Sequence, residues 1–207
     1  MAKRLGVGKG EFAVAAADAT GDTDPGVEYP PSERVIMQIR AKDGVAVASF
    51  EDTLLAIWQA PAEAARCRWL SAELERLANG ADEGILVLYV ILPSSSPPDA
   101  AVRTQIQADL AKLGTRLRRL VVVPLGNTVW FNLTRAIMRG LLLLSGQSKK
   151  FAVVSGLNEG IEELQRLRGA RTPSRQELRA ALSELSATLG VERPDPKSSV
   201  WAEGKRA

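Results

Sequence analysis

The sequence predicts an α/β protein. The expected core is a mixed, mostly parallel sheet of about five strands, opened by an antiparallel hairpin and carrying helices mainly on one face. Three observations predict it. Gly84 to Leu92 is a continuous apolar run, as in strands covered on both faces. Stretches with apolar residues three and four apart alternate with short apolar strands, which is the pattern of right-handed crossovers onto a parallel sheet. An alternating segment, Val35 to Arg40, and a second strand, Val45 to Phe50, also flank Asp43-Gly44, a favoured hairpin turn.

Residues 1–33 are rich in Gly, Ala, Asp and Pro and lack a sustained period. Gly21 to Gly26 and Pro30-Pro31 are turn and linker chemistry, so this segment is expected to be disordered or loosely attached. Gly6-Val7-Gly8-Lys9-Gly10 has neither the spacing to a Gly-Lys-Ser/Thr nor a preceding strand, and does not read as a phosphate loop. The α/β domain is expected over residues 34–170. Val35 to Arg40 alternates as a strand, and Val45 to Phe50 forms the second. Glu51 to Ala60 carries Leu54, Leu55, Ile57 and Trp58 without a settled period, and is expected to tuck over a sheet edge.

A helix starts near Pro61, with Ala64, Cys67, Leu70, Leu74 and Leu77 on one stripe and Asn79-Gly80 at its end. After the run to Leu92 comes the loop Pro93 to Asp99, then a helix with Val102, Ile106, Leu110, Leu113 and Leu117 on one face. Leu120 to Pro124 is a short strand. Val129 to Leu144 is a third helix, ended by Gly146, and Phe151 to Val154 a further strand. A short helix carries Ile161, Leu164 and Leu167. Ser174 and Glu177 match a capping box. Leu178, Leu182, Leu185 and Leu189 then form the narrow seam of a docking helix over 171–190, closed by Gly190. Residues 191–207 read as a flexible tail in which Trp201 is a candidate anchor.

Composition narrows the chemistry. The 207 residues contain no histidine and one cysteine, Cys67. That excludes Ser-His-Asp and Cys-His catalysis, histidine general bases, histidine zinc sites and an internal disulfide. Neither a catalytic residue nor a metal or cofactor site is expected, and Cys67 reads as a buried structural thiol. The longest strongly apolar run, Ala136 to Leu144, contains Arg139 and is far short of the ~20 residues of a membrane span. The expected location is cytoplasmic, without membrane insertion. A net charge of +3 is no nucleic-acid signature. The positive charges Arg166, Arg168, Arg171, Arg175 and Arg179 read first as a solvated helix face and second as a contact for an acidic partner.

One constellation carries chemical content. Three strand exits, Ser94 to Ser96, Gly126 to Thr128 and Ser155 to Asn158, are small and polar, and each opens a helix. At the carboxyl edge of a parallel sheet they should converge, and helix starts there favour an anion or an acidic side chain. Ser94, Ser95, Ser96, Asp99, Asn127, Thr128, Ser155 and Asn158 are the candidate partner or anion contacts, with ordinary helix capping as the plainer role. The third helix is also apolar over a wide arc. Trp130, Leu133, Ile137, Leu141 and Leu144 form one stripe, widened by Phe131, Met138 and Leu142, against a polar strip of Asn132, Thr134, Arg135 and Arg139. Its second side is expected to be covered by the helix at 174–189 or by another subunit, which makes a homo-oligomer through helices 129–144 and 174–189 conceivable.

This element order over about residues 34–170 resembles the STAS family, the sulfate transporter and anti-sigma factor antagonist domains. The resemblance implies a small sheet with helices mainly on one side, and a bacterial regulatory role through protein contacts instead of turnover. It also implies a phosphorylatable serine at the start of the helix after the third strand, a place held here by Ser94-Ser95-Ser96, with Ser95 and Ser96 as the candidates. Pro93, Pro97 and Pro98 flank these serines, and the acidic residue, Asp99, follows them. A phosphate at a helix start would stabilise the helix and repel an acidic partner. The leading expectation is a non-enzymatic protein-interaction module. The alternatives are a small-molecule or nucleotide-binding α/β protein and a structural assembly protein.

Overall fold

Asp43 and Gly44 both adopt positive φ (47° and 81°), the geometry that matches the twist of two strands joined by a two-residue turn. They close the hairpin of β1 (Gln38–Lys42) and β2 (Val45–Ser49), in register from Lys42 opposite Val45 to Gln38 opposite Ser49. The computed structural model describes residues 37–126, 128–145, 148–169 and 171–191. The expectations for residues 1–33, Val35, Gly146, the tail beyond 191 and Trp201 fall outside these.

Glu51 to Ala60 does not tuck over an edge. Its core is β3 (Thr53–Trp58), third of six strands and buried at every residue. It pairs antiparallel with β2 and parallel with β4 (Ile85–Ile91). It shows no period for the reason that Gly84 to Leu92 shows none: a strand covered on both faces has no polar side to alternate with. β5 (Leu117–Pro124) and β6 (Phe151–Val153) continue in parallel, so the sheet runs β1-β2-β3-β4-β5-β6. Leu117 was expected on the preceding helix. It begins β5 instead, because Gly114, at φ 49°, turns the chain out of the helix.

The strand order fixes where the helices go. Each parallel strand lies beside its predecessor, always on the same side. Right-handed crossovers then put all three connecting helices on one face. These are α1 (Ala64–Gly80), α2 (Ala100–Leu113) and α3 (Thr128–Ser145). Leu70 and Leu74 of α1, Leu110 of α2 and Met138 of α3 pack there on Leu54, Val87, Leu120 and Val122. The opposite face would be bare were it not for two helices that follow the last strand, α4 (Leu157–Gln165) and α5 (Arg175–Thr188). Ile161, Leu164, Leu178, Leu182 and Leu185 cover Leu55, Leu86, Leu88, Val121 and Val123. Helices thus lie three to one face and two to the other.

The position of α5 corrects one expectation. Its capping box is present: Ser174 Oγ accepts from Glu177 N, and Ser174 N donates to Glu177 Oε2 at 2.6 Å. Its apolar seam is spent on its own sheet, against β2 and β3, where Ala46 and Ala48 leave room for it. It lies on the face opposite α3, so it neither covers α3 nor offers that seam to another subunit. Val129 and Leu133 of α3 remain exposed (76% and 44%).

Candidate functional site

The carboxyl ends of β3, β4 and β5 are in step. Leu92 N donates to Trp58 O and Leu125 N to Ile91 O, each at 2.8 Å, and Val154 N donates to Val122 O at 3.0 Å. The strand exits therefore meet at one edge. Gly126 lies against Pro93: a Cβ added at Gly126 would stand 3.2 Å from the proline Cγ and 3.1 Å from Trp130 Cδ1.

The β4–α2 loop is tied down by its own serines. Ser94 Oγ donates to Gln59 O and Ser95 Oγ to Ala60 O, both at 2.9 Å, so the loop is latched across the exit of β3. Ser95 is 4% exposed, whereas Ser96 is exposed. The helix start itself belongs to Asp99, whose Oδ1 accepts from Val102 N at 2.8 Å. Asp99 is thus a cap, the plainer of its two expected roles.

The remaining candidates divide. Asn127 lies outside the described residues, and of Thr128 only the backbone position, first in α3, is described. Ser155 donates from both N and Oγ to Glu159 Oε2 (3.2 and 3.3 Å). Asn158 is not a helix cap: α4 is capped at Gly156, and Asn158 Oδ1 accepts from Arg179 Nη2 of α5 at 2.9 Å. Both residues are engaged with the α4–α5 side. The arginines of this region are largely paired as well: Arg166 with Glu163, Arg175 with Glu162 and Arg171 with Glu51. That is the solvated, ion-paired face.

Beneath the β4–α2 loop, on the α1–α3 face, lies a cavity of about 120 Å³. The sheet supplies its floor through Trp58, Tyr89 and Leu120. Leu70 and Leu74 of α1 and Ile106 and Leu110 of α2 form two walls. Trp130, Thr134 and Met138 of α3 form the third, and Ser95 to Pro98 roof it. Thr134, expected on a polar outer strip, is 7% exposed and turned inward. Apolar side chains dominate, with a few polar groups among them, which is the usual make-up of a small-molecule site.

Those polar groups are held in neutral or paired form. Burial, and then the Asp109 carboxylate, push the Cys67 thiol up to about 11, against the opposing pull of Arg66 and Arg68. A thiol so placed stays protonated near neutral pH and is a poor nucleophile. Burial pushes the Tyr89 phenol well above its ordinary value, with Cys67 adding to it. Tyr89 Oη makes no hydrogen bond among the described residues, and its ring is left partly reachable by the cavity. Asp109 is engaged twice, accepting from Ser71 Oγ at 2.7 Å and from Lys112 Nζ at 3.3 Å.

The opposite, amino-terminal edge of the sheet is different in kind. Asp52 is buried there and accepts from Thr53 Oγ1 (2.7 Å), Thr172 Oγ1 (2.6 Å) and Arg118 Nη1 (3.4 Å). This network ties the α4–α5 connection to the starts of β3 and β5, and its groups satisfy one another. No group of three or more His, Cys, Asp or Glu able to hold a metal ion occurs among the described residues, and no described helix is long and apolar enough to cross a membrane.

The loop over the cavity is legible in the sequence, and the cavity is not. Trp58 lay in a segment without a period, and Tyr89 reads as one more residue of an apolar strand. The signal that was available is the hydroxyl: a tyrosine inside a run buried on both faces must find either a partner or a space. No family model and no curated protein matches the chain.

Proposed function

We propose that this chain is a non-enzymatic regulatory module that binds a small apolar molecule at the carboxyl edge of its sheet and presents the loop above it to a protein partner. The cavity carries this reading. It is apolar, it lies between α1, α2, α3 and the sheet, and its roof is the loop of Ser94 to Asp99 at the carboxyl end of β4. A binding role fits better than turnover, since the thiol and the phenol in the lining are both held protonated near neutral pH. Trp58 and Trp130 in the lining supply the readout. Saturable change in tryptophan emission with small hydrocarbons, accompanied by a rise in melting temperature, is the expected result. At a hundredfold excess over Kd the stabilisation is about 2.7 kcal/mol. Ile106→Trp fills the space and should abolish the response. A panel of apolar compounds that moves neither signal in the full chain would remove the proposal.

The second reading keeps the STAS-type switch. It is favoured by the contrast between two adjacent serines: Ser95 is buried with its hydroxyl committed, and Ser96 is free to meet a kinase or a partner. Under this reading Ser96→Glu alters partner retention in co-purification while Ser96→Ala does not. Identical retention by both variants would count against it.

A further inference from the structure

Resting on the pocket reading above, we infer that the occupant is an uncharged molecule of about one six-membered ring, carrying a hydrogen-bond acceptor that Tyr89 Oη donates to. Size comes from the volume. The cavity measures about 120 Å³, somewhat less than the ~150 Å³ dry cavity that takes up benzene. A ring with one short substituent fills it, and a long acyl chain does not fit within it.

Charge is set by the lining. Among the described residues no lysine or arginine lines the cavity, and one acidic side chain, Asp109, does. An anion would enter a low-dielectric space beside a carboxylate, which is strongly unfavourable. A cation fares little better. Both Asp109 oxygens already accept hydrogen bonds, and Lys112 offsets the charge. An ammonium would have to give up its water for a carboxylate that is already paired.

Polarity is set by Tyr89. Its Oη is a donor without a partner among the described residues, in a lining that is mostly apolar. An unmade hydrogen bond in such a place is a standing preference for a ligand that completes it, and completing one neutral bond corresponds to roughly a five- to tenfold gain in affinity. A carbonyl oxygen is the simplest acceptor. A ketone, lactone or similar neutral ring fits all three constraints.

The test uses four ring compounds on the full chain: methylcyclohexane, cyclohexanone, cyclohexylammonium and cyclohexanecarboxylate. Hydrocarbon and ketone differ in their own hydrophobicity, so the decisive comparison is each ligand between the wild type and Tyr89→Phe. Cyclohexanone should bind about five- to tenfold more weakly to Tyr89→Phe, with methylcyclohexane unchanged or slightly tighter, and neither charged compound should compete. In the wild type the carbonyl stretch of bound cyclohexanone should move to lower frequency, a shift absent in Tyr89→Phe; this readout also stands alone if the variant folds poorly. Equal ketone binding by both proteins with no infrared shift, or tight binding of either ion, would overturn the ligand class while hydrocarbon binding left the pocket itself standing. Failure of all four compounds to bind would overturn the pocket and the ligand class together.

Discussion

Leu88 and Tyr89 are neighbours on one strand and face opposite worlds. Strand alternation sends Leu88 to the α4–α5 face and Tyr89 to the α1–α3 face. On the first, Gly160 brings the backbone of α4 so close that an added methyl would stand 2.7 Å from Val123 Cγ2 and 3.0 Å from Leu88 Cδ1. On the second, three helices leave a hollow around the tyrosine. The difference comes from connectivity. Helices are about 10 Å across, while strands lie about 4.8 Å apart. Each of α1, α2 and α3 must deliver the chain to the next strand, so they cannot all settle directly over the strands they join. Neither α4 nor α5 leads into another strand among the described residues, and α5 packs over the small Ala46 and Ala48. Helices tied to the sheet at both ends leave gaps, and helices tied at one end close them.

The sharpest way to break this contrast is truncation on the closed face. Leu88→Ala should cost about 2–5 kcal/mol in chemical denaturation, because the fully buried site has little freedom to collapse. Gly160→Ala should come next. Alanine would add up to about 1 kcal/mol of helix propensity, but overpacking against a β-branched valine costs about 1–3 kcal/mol, so the net effect is destabilising. A Gly160→Ala protein as stable as the wild type would mean that α4 can lift away, and the closed face would not be closed.

The open face should respond more gently. Cys67 titrates in the folded protein at about 11, above its ordinary value of 9.0. A thiol raised on folding contributes stability that is complete below the unfolded value and lost as pH rises through the folded one. Melting temperature should therefore fall between about pH 9 and 11, and less steeply in Cys67→Ala; parallel curves would place the thiol outside the core. Smallest of all, Tyr89→Phe removes a hydroxyl with no partner and should change stability by less than about 0.5 kcal/mol. A loss above about 1.5 kcal/mol would mean that the hydroxyl already has a partner in the free protein, and the contrast with Leu88 would narrow.

Much of the scaffold was legible because its signals are local. Asp43-Gly44 names its own turn, the run to Leu92 announces a strand covered twice, and Ser174 with Glu177 spells a helix start. β3 is not legible, because burial on both faces erases the alternation that marks a strand. Leu117 looks helical in the sequence because the apolar stripe runs on in register past Gly114. The candidate site was legible only as loops. Ser94 to Asp99 were located correctly, yet their hydroxyl and carboxylate groups serve mainly as latches and a cap. The hollow beneath them depends on how far three helices stand from a sheet, and no spacing along the chain encodes that distance.

The strand order has a consequence for synthesis. Each strand from β1 to β6 can add to the one before it as the chain leaves the ribosome, so the sheet can grow in the order in which it is made. Its second face does not share that timing. Ala46, Ala48, Leu55 and Ile57 stay open to water until the leucines of α5 emerge, more than a hundred residues later, which is on the order of ten seconds of translation. A half-made chain therefore carries a greasy, unshielded flank, and α5 is the part that shields it.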